Sequence, residues 1–246
     1  MKRRKVALVT GSTGGIGTAL CKRLDQEGYI VVGNSRCSNK AIATKNALKL
    51  EGCNIHMMQG DVADYDSVAK MIESVEREIG KIDILINNAG ITRDMRFTKM
   101  GKEDWDEVMN TNLTGVFNCT RHVINGMMER GYGRIINISS VNGQKGQFGQ
   151  TNYSAAKAGL HGFTKSLALE VAKYGVTVNT VSPGYIGTEM VMAVPERVRE
   201  QIVAQIPVGR LGYIEEVAEA VVYLLSDQSS FMTGSNLSIN GGQHMY

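Results

Sequence analysis

Proline is nearly missing from this chain: its three prolines, Pro183, Pro195 and Pro207, all lie late. There is no low-complexity tract and no linker-like stretch, so nothing divides the 246 residues, a length that one large α/β domain fills. The first apolar run, VALVT, is cut short by GSTGG; despite the basic MKRRK before it, it is too short for the core of a secretion signal. No apolar run approaches the length of a membrane span. Cysteine is sparse: Cys21, Cys37, Cys53 and Cys119 lie far apart without CxxC spacing and read as reduced, mostly buried thiols. The four histidines are isolated and offer no metal-ligand spacing, so no metal is expected. A dominant charge is lacking too. The net charge is +3 and the basic residues are scattered rather than striped, which argues against nucleic acid as the main partner. These absences lead to the expectation of a soluble, cytoplasmic protein.

What the chain does have is a rhythm. Short, β-branched apolar runs, KVALVT (5–10), YIVVGN (29–34), NIHMM (54–58), IDILIN (82–87), GRIINIS (133–139), VTVNTVS (176–182) and SNLSIN (235–240), alternate with amphipathic stretches. In DSVAKMIESVEREIG, residues Val68, Ile72, Val75 and Ile79 recur at helical spacing with charges between them. Apolar strands without polar alternation, joined by helices, predict a single doubly wound α/β (Rossmann) domain with a seven-stranded parallel sheet covered by helices on both faces. One stretch breaks the rhythm. Residues 185–213 form a long excursion before the last helix, and excursions of that length in a compact domain usually serve as lids or substrate loops.

The first strand runs into Thr10-Gly11-Ser12-Thr13-Gly14-Gly15-Ile16-Gly17 and then a helix. Open N–H groups at a helix start suit a pyrophosphate, and glycines let the backbone approach it. After the second strand stands Gly33-Asn34-Ser35-Arg36, with no Asp or Glu to accept hydrogen bonds from a ribose 2′-hydroxyl. Arg36 suits a 2′-phosphate instead, which predicts NADPH/NADP+ over NADH. Asp61-Val62 stands where an adenine would be met, and the small residues of Asn88-Ala89-Gly90 permit close passage of the cofactor.

The turn TGxxxGxG, the NNAG at 87–90, Asn112 in NTNLTG, Ser140, Tyr153-x-x-x-Lys157 and Pro183-Gly184 together resemble the short-chain dehydrogenase/reductase family, in order and over the whole chain. On a helix, positions i and i+4 share a face, so Lys157 is expected beneath Tyr153, where its charge would favour the phenolate. Tyr153 is expected to act as general acid toward a carbonyl oxygen, and Ser140 to donate a second hydrogen bond to it. The resemblance further implies that Lys157 holds the nicotinamide ribose, that Asn112 anchors a water chain resupplying the proton, that Pro183, Gly184 and Ile186 lie by the cofactor, and that the chain forms a homotetramer.

The loop VNGQKGQFGQTN, Gly90-Ile91-Thr92-Arg93-Asp94 and the C-terminal Asn240-Gly241-Gly242-Gln243-His244-Met245 are similar to the acetoacetyl-CoA reductases of polyhydroxyalkanoate synthesis. That likeness implies an acyl-CoA thioester substrate, (R)-3-hydroxybutyryl-CoA as product, and contacts from Asp94, Lys99, Gln147, Phe148, Gln150 and Tyr185. Gln147 and Gln150 would orient the thioester as amide donors, Phe148 would cover the acyl chain and Tyr185 would close the opposite side. Arg93, Arg96 and Lys99 form a cationic loop suited to the phosphates of CoA. The alternative is a 3-oxoacyl-[acyl-carrier-protein] reductase, which shares these catalytic motifs; the arginines that dock an acidic carrier in such relatives correspond to Gly131 and Tyr174, flanked by Arg130 and Lys173. A non-enzymatic NADPH-sensing regulator would be expected to lose the tyrosine or the lysine, and this chain keeps both.

Overall fold

In the computed structural model, residues 3–245 are described, Met190 by its backbone alone. Strand and helix alternate from the start: β1 (Val6–Val9), α1 (Gly15–Gln26), β2 (Ile30–Ser35), α2 (Ser38–Leu50), β3 (Ile55–Gln59), α3 (Tyr65–Glu78) and β4 (Ile82–Asn87). A loop with a 3-10 turn at Phe97–Lys99 leads to α4 (Lys102–Met109), a π-helical turn (Asn110–Thr114) and α5 (Gly115–Glu129). There follow β5 (Gly133–Ile138), α6 (Val141–Lys145), α7 (Thr151–Val171), β6 (Val176–Pro183), α8 (Glu189–Met192), α9 (Glu196–Val203), α10 (Ile214–Leu225) and β7 (Asn236–Ile239).

The strands form one seven-stranded sheet in the order β3-β2-β1-β4-β5-β6-β7, and every pairing is parallel. Each of the seven expected runs supplies one strand. Successive strand residues point to opposite faces. Ala7 and Val9 therefore join Leu20 and Leu24 of α1 and Val217 and Val221 of α10 in one core. Val6 and Leu8 join Val68, Ile72 and Val75 of α3 and Val123 and Met127 of α5 in the other. A sheet buried on both faces needs unbroken apolar strands, and each such aliphatic side chain contributes about 1.5–3 kcal/mol on burial. The helical spacing seen in the sequence thus faces inward, and Asp64 caps α3 by accepting the Ser67 N–H at 2.8 Å.

The chain winds away from β1 in one direction to reach β3 and in the other to reach β4 and beyond. The carboxyl ends of β1 and β4 therefore border a topological switch point, where such sheets open a crevice. The excursion at 185–213 carries α8 and α9 and is pinned at its base. Gly187 N–H donates to Gly212 at 2.9 Å, Gly212 N–H donates to Tyr185 at 2.9 Å, and Ile206 is buried against Gly241. No residue of α9 is buried. Among the described residues Cys21, Cys53 and Cys119 are buried and Cys37 is exposed, all as free thiols, and no helix is long and apolar enough to cross a membrane.

Candidate active site

The glycine-rich turn is locked to the loop after β4. Thr10 Oγ1 accepts the N–H groups of Asn88 and Ala89 at 3.0 Å each, while Asn88 Nδ2 donates to the carbonyls of Thr10 and Gly11. Gly11 holds φ +61°, and a Cβ there would stand 2.7 Å from Ala89 Cα, so a side chain is excluded twice over. No side chain caps the start of α1, which leaves its N–H groups and the positive end of its dipole open beside Thr13, Gly15 and Ile16. The Ser12 hydroxyl is buried and donates to the Asn34 carbonyl at 3.1 Å, bracing the turn against β2 from within. Thr188, which motif reading did not single out, meets this turn, since a Cβ on Gly15 would lie 3.2 Å from its Cγ2.

At the end of β2, Arg36 is exposed on a groove of about 510 Å³ that it shares with Gln59, Asp61, Ser67 and Lys70. A cation therefore borders the place where the sheet edge opens. Asp61 Oδ1 accepts the Ala63 N–H at 2.9 Å. The Val62 side chain is buried, its Cγ2 2.9 Å from where a Cβ on Gly115 would sit, and its carbonyl accepts from Asn118 Nδ2 at 2.8 Å.

The second cluster lies across the crevice. Ile138 ends β5, and Ser140, two residues on, caps α6 by accepting the Asn142 N–H at 3.1 Å. Ser139 Oγ donates to the Lys157 carbonyl at 2.9 Å, tying α7 to the strand. Asn152 anchors the start of α7 by donating to the carbonyls of Arg93 and Asp104. Tyr153 and Lys157 thus arrive on one face, with the Lys157 Nζ 5.7 Å from the Tyr153 ring centre and donating to the Ile138 carbonyl at 2.7 Å. Asn112, in the π-helical turn, accepts from Ile91 N–H at 2.8 Å and donates to Ile91 O at 2.9 Å, so both ends of its side chain hold the loop that follows Gly90. A Cβ on Gly90 would sit 3.4 Å from Asn112 Oδ1 and 3.5 Å from Lys157 Nζ. Asn112 and Lys157 therefore flank Gly90, in the same loop whose Ala89 packs on Gly11 of the glycine-rich turn, with Ser140 and Tyr153 carried on the elements that Lys157 ties together.

Electrostatics departs from the simple expectation. Burial pushes the Lys157 ammonium down to about 8. Burial also raises the Tyr153 phenol above its ordinary value; a hydrogen bond with Ser140 pulls it partly back and the Asp94 carboxylate adds to the rise. The expected depression by Lys157 does not govern, because desolvation disfavours both charged forms.

The residues expected around the substrate divide. Tyr185 is half-buried, burial raises its phenol above the ordinary value, and its N–H meets Gln243 Oε1 at 3.3 Å. Gln150 does not offer a free amide: Oε1 accepts from Asn142 Nδ2 at 2.9 Å and Nε2 donates to Asp94 Oδ2 at 2.8 Å. Gln147 Oε1 accepts from Lys145 at 3.4 Å. Phe148, expected as a cover, is 79% exposed, with the Arg96 guanidinium 5.7 Å from its ring centre. Arg93 pairs with Glu107 at 2.8 Å, which leaves Arg96 and Lys99 as the exposed cations of that loop. Pro183 closes β6, Gly184 N–H donates to Ile239 at 2.8 Å, and buried Ile186 pairs with Gly212.

Comparison with known proteins identifies the family. The family model for short chain dehydrogenases matches residues 5–199, and the chain belongs to the short-chain dehydrogenase family of oxidoreductases. An acetoacetyl-CoA reductase of Cupriavidus necator is 56% identical over 246 residues, spanning 98% of this chain and 99% of that protein. An acetoacetyl-CoA reductase of Rhizobium meliloti is 55% identical over 241 residues, 98% of each chain. A 3-oxoacyl-[acyl-carrier-protein] reductase of Escherichia coli is 45% identical over 241 residues, again 98% of each chain.

Proposed function

We propose that the chain reduces acetoacetyl-CoA to (R)-3-hydroxybutyryl-CoA using NADPH. The observation that carries this reading is the convergence of Ser140, Tyr153 and Lys157 beside the glycine-rich turn, in a chain 56% identical to an acetoacetyl-CoA reductase.

The residues present fit a dinucleotide: Gly11 and Gly15 form a cradle that a Cβ would fill, and the start of α1 is uncapped. Gly11, Thr13, Gly15, Ile16 and Gly17 would hold the pyrophosphate end, Arg36 the 2′-phosphate, and Asp61 with the Val62 N–H the adenine. Asn88, Ala89 and Gly90 would pass alongside, Lys157 would hold the nicotinamide ribose, and Pro183, Gly184 and Ile186 would face the nicotinamide. When bound, NADPH supplies the hydride.

The chain's own residues handle the oxygen. Ser140 donates to the substrate's 3-oxo group and fixes it against Tyr153, whose raised affinity for its proton keeps the phenol protonated at neutral pH. Tyr153 then delivers that proton as charge develops on the oxygen, and the nearby ammonium stabilises that charge in a dry site. A lysine near 8 exchanges its proton at neutral pH more readily than one at its ordinary 10.5, which suits Lys157 to proton resupply. The excursion at 185–213 serves as the substrate lid, pinned at its base and unburied along α9. Self-association as a homotetramer in the cytoplasm belongs to the same proposal; the edge position of β7 supports the former.

Reduction of the carrier-bound thioester is the second reading, favoured by the 45% identity to the Escherichia coli enzyme. Against it, Arg130 is engaged at the Ile82 carbonyl at 2.6 Å, which leaves exposed Lys173, over the Tyr174 ring, as the freer of the two cations. Steady-state kcat/KM for acetoacetyl-CoA against the carrier-bound acetoacetyl thioester tests the choice; a strong preference for the carrier would overturn it.

A further inference from the structure

Asn142 lies within VNGQKGQFGQTN without an expected role there, and it contacts both Ser140 and Gln150. Its backbone N–H meets Ser140 Oγ at 3.1 Å and its side-chain Nδ2 meets Gln150 Oε1 at 2.9 Å. Gln150 in turn donates to Asp94 at 2.8 Å. A backbone bond from Met95 N–H to Gly149 O at 2.8 Å joins the two loops that carry Asp94 and Gln150.

The chemistry of these groups fixes a direction. An ionised carboxylate only accepts hydrogen bonds, so Asp94 must meet the NH2 end of the Gln150 amide. The oxygen end of Gln150 then faces Asn142, which must answer with its own NH2. Asn142 Oδ1 is left over: it is buried and, among the described residues, without a hydrogen-bond partner. A buried acceptor of this kind is uncommon in folded proteins and marks the polar end of the amide as a group that an incoming donor can meet.

We propose that Asn142 is a positioning residue for the reduction, holding Ser140 through its backbone and transmitting the polarity of Asp94 through Gln150, so that a short 3-oxoacyl thioester meets one preset arrangement of donors and acceptors. This rests on the reading that Ser140 and Tyr153 engage the 3-oxo group. The relay also changes what Gln150 does: it orients Asn142 and Asp94 rather than binding the thioester with a free amide.

A double-mutant cycle on Asn142→Ala and Asp94→Asn tests the relay. Each single change is expected to lower kcat/KM for acetoacetyl-CoA by about ten-fold, mainly through KM, and the double variant by little more than the worse single one, since contacting residues do not act additively. NADPH affinity, read by fluorescence titration, and Tm are expected to stay near wild type. Multiplicative effects in the double variant would overturn the proposal, as would an Asn142→Ala protein that loses NADPH affinity in step with activity. Should Asn142→Ala fold poorly, Gln150→Ala replaces it in the same cycle with the same expectation. Full turnover by Tyr153→Phe would instead defeat the underlying catalytic reading, which separates the two failures.

Discussion

Lys157 donates to the carbonyl of Ile138 at 2.7 Å, across the junction where α7 lies against the end of β5. The bond makes the strand a ruler: Ser140 follows Ile138 by two residues and Tyr153 precedes Lys157 by one helical turn, so one anchor sets the spacing between serine and tyrosine. It also holds an ammonium where burial opposes its charge.

Lys157→Met is therefore expected to stabilise the fold while abolishing reduction. The shift of Lys157 from 10.5 to about 8 corresponds to roughly 3 kcal/mol of unfavourable charge burial at neutral pH, partly offset by the bond to Ile138, so a net gain of about 1–2 kcal/mol is expected. Thermal unfolding would show Tm higher by a few degrees; a lower Tm would refute the prediction. The wild-type pH dependence has a definite sign. Between about 8 and 10.5 the unfolded chain binds more protons at this site, so its contribution makes stability rise with pH across that window, and Lys157→Met should flatten the rise.

Tyr153→Phe removes the proton donor and leaves the ring in place. Turnover of acetoacetyl-CoA should fall by about 10²–10⁴-fold with NADPH affinity little changed. Ser140→Ala should also lower kcat, because the substrate oxygen loses its second hydrogen-bond donor. Single-turnover rates measured with saturating NADPH separate these losses from changes in binding.

Arg36→Ala should weaken NADPH binding by about ten- to a hundred-fold, the scale of one lost charge-assisted hydrogen bond, while NADH binding changes little. Isothermal titration with adenosine 2′,5′-bisphosphate and with 5′-AMP reads this without turnover. An unchanged preference between the two nucleotides would remove Arg36 from the 2′-phosphate.

Gly11→Ala would force a side chain into φ +61° and against Ala89, whose Cα lies 2.7 Å from the new Cβ. Backbone strain alone costs about 1–3 kcal/mol, and the overlap parts the turn from the loop after β4. Chemical denaturation should show a marked loss of stability, and NADPH titration a loss of affinity; wild-type values in both would mean the turn yields freely.

The linear sequence sufficed wherever the physics is local or periodic. Unbroken β-branched runs specify strands buried on both faces, and Val68, Ile72 and Val75 specify the inner stripe of α3. Tyr153 and Lys157 share a face because a helix repeats every 3.6 residues. The glycines at 11, 15 and 17 mark a backbone approach that side chains would block.

Tertiary structure decided whatever depends on neighbours far along the chain. Asn142 is one loop amide among several until α6 folds beneath Gln150, 8 residues away, and Asp94 arrives from 56 residues away. Arg93 looks like a free cation until α4 brings Glu107 to it, and Phe148 looks like a cover until its loop stands in solvent. The proton affinity of Tyr153 was the sharpest case. Sequence spacing supplied its cation, but burial supplied the larger force, and burial is a property of the assembled fold rather than of any segment of the chain.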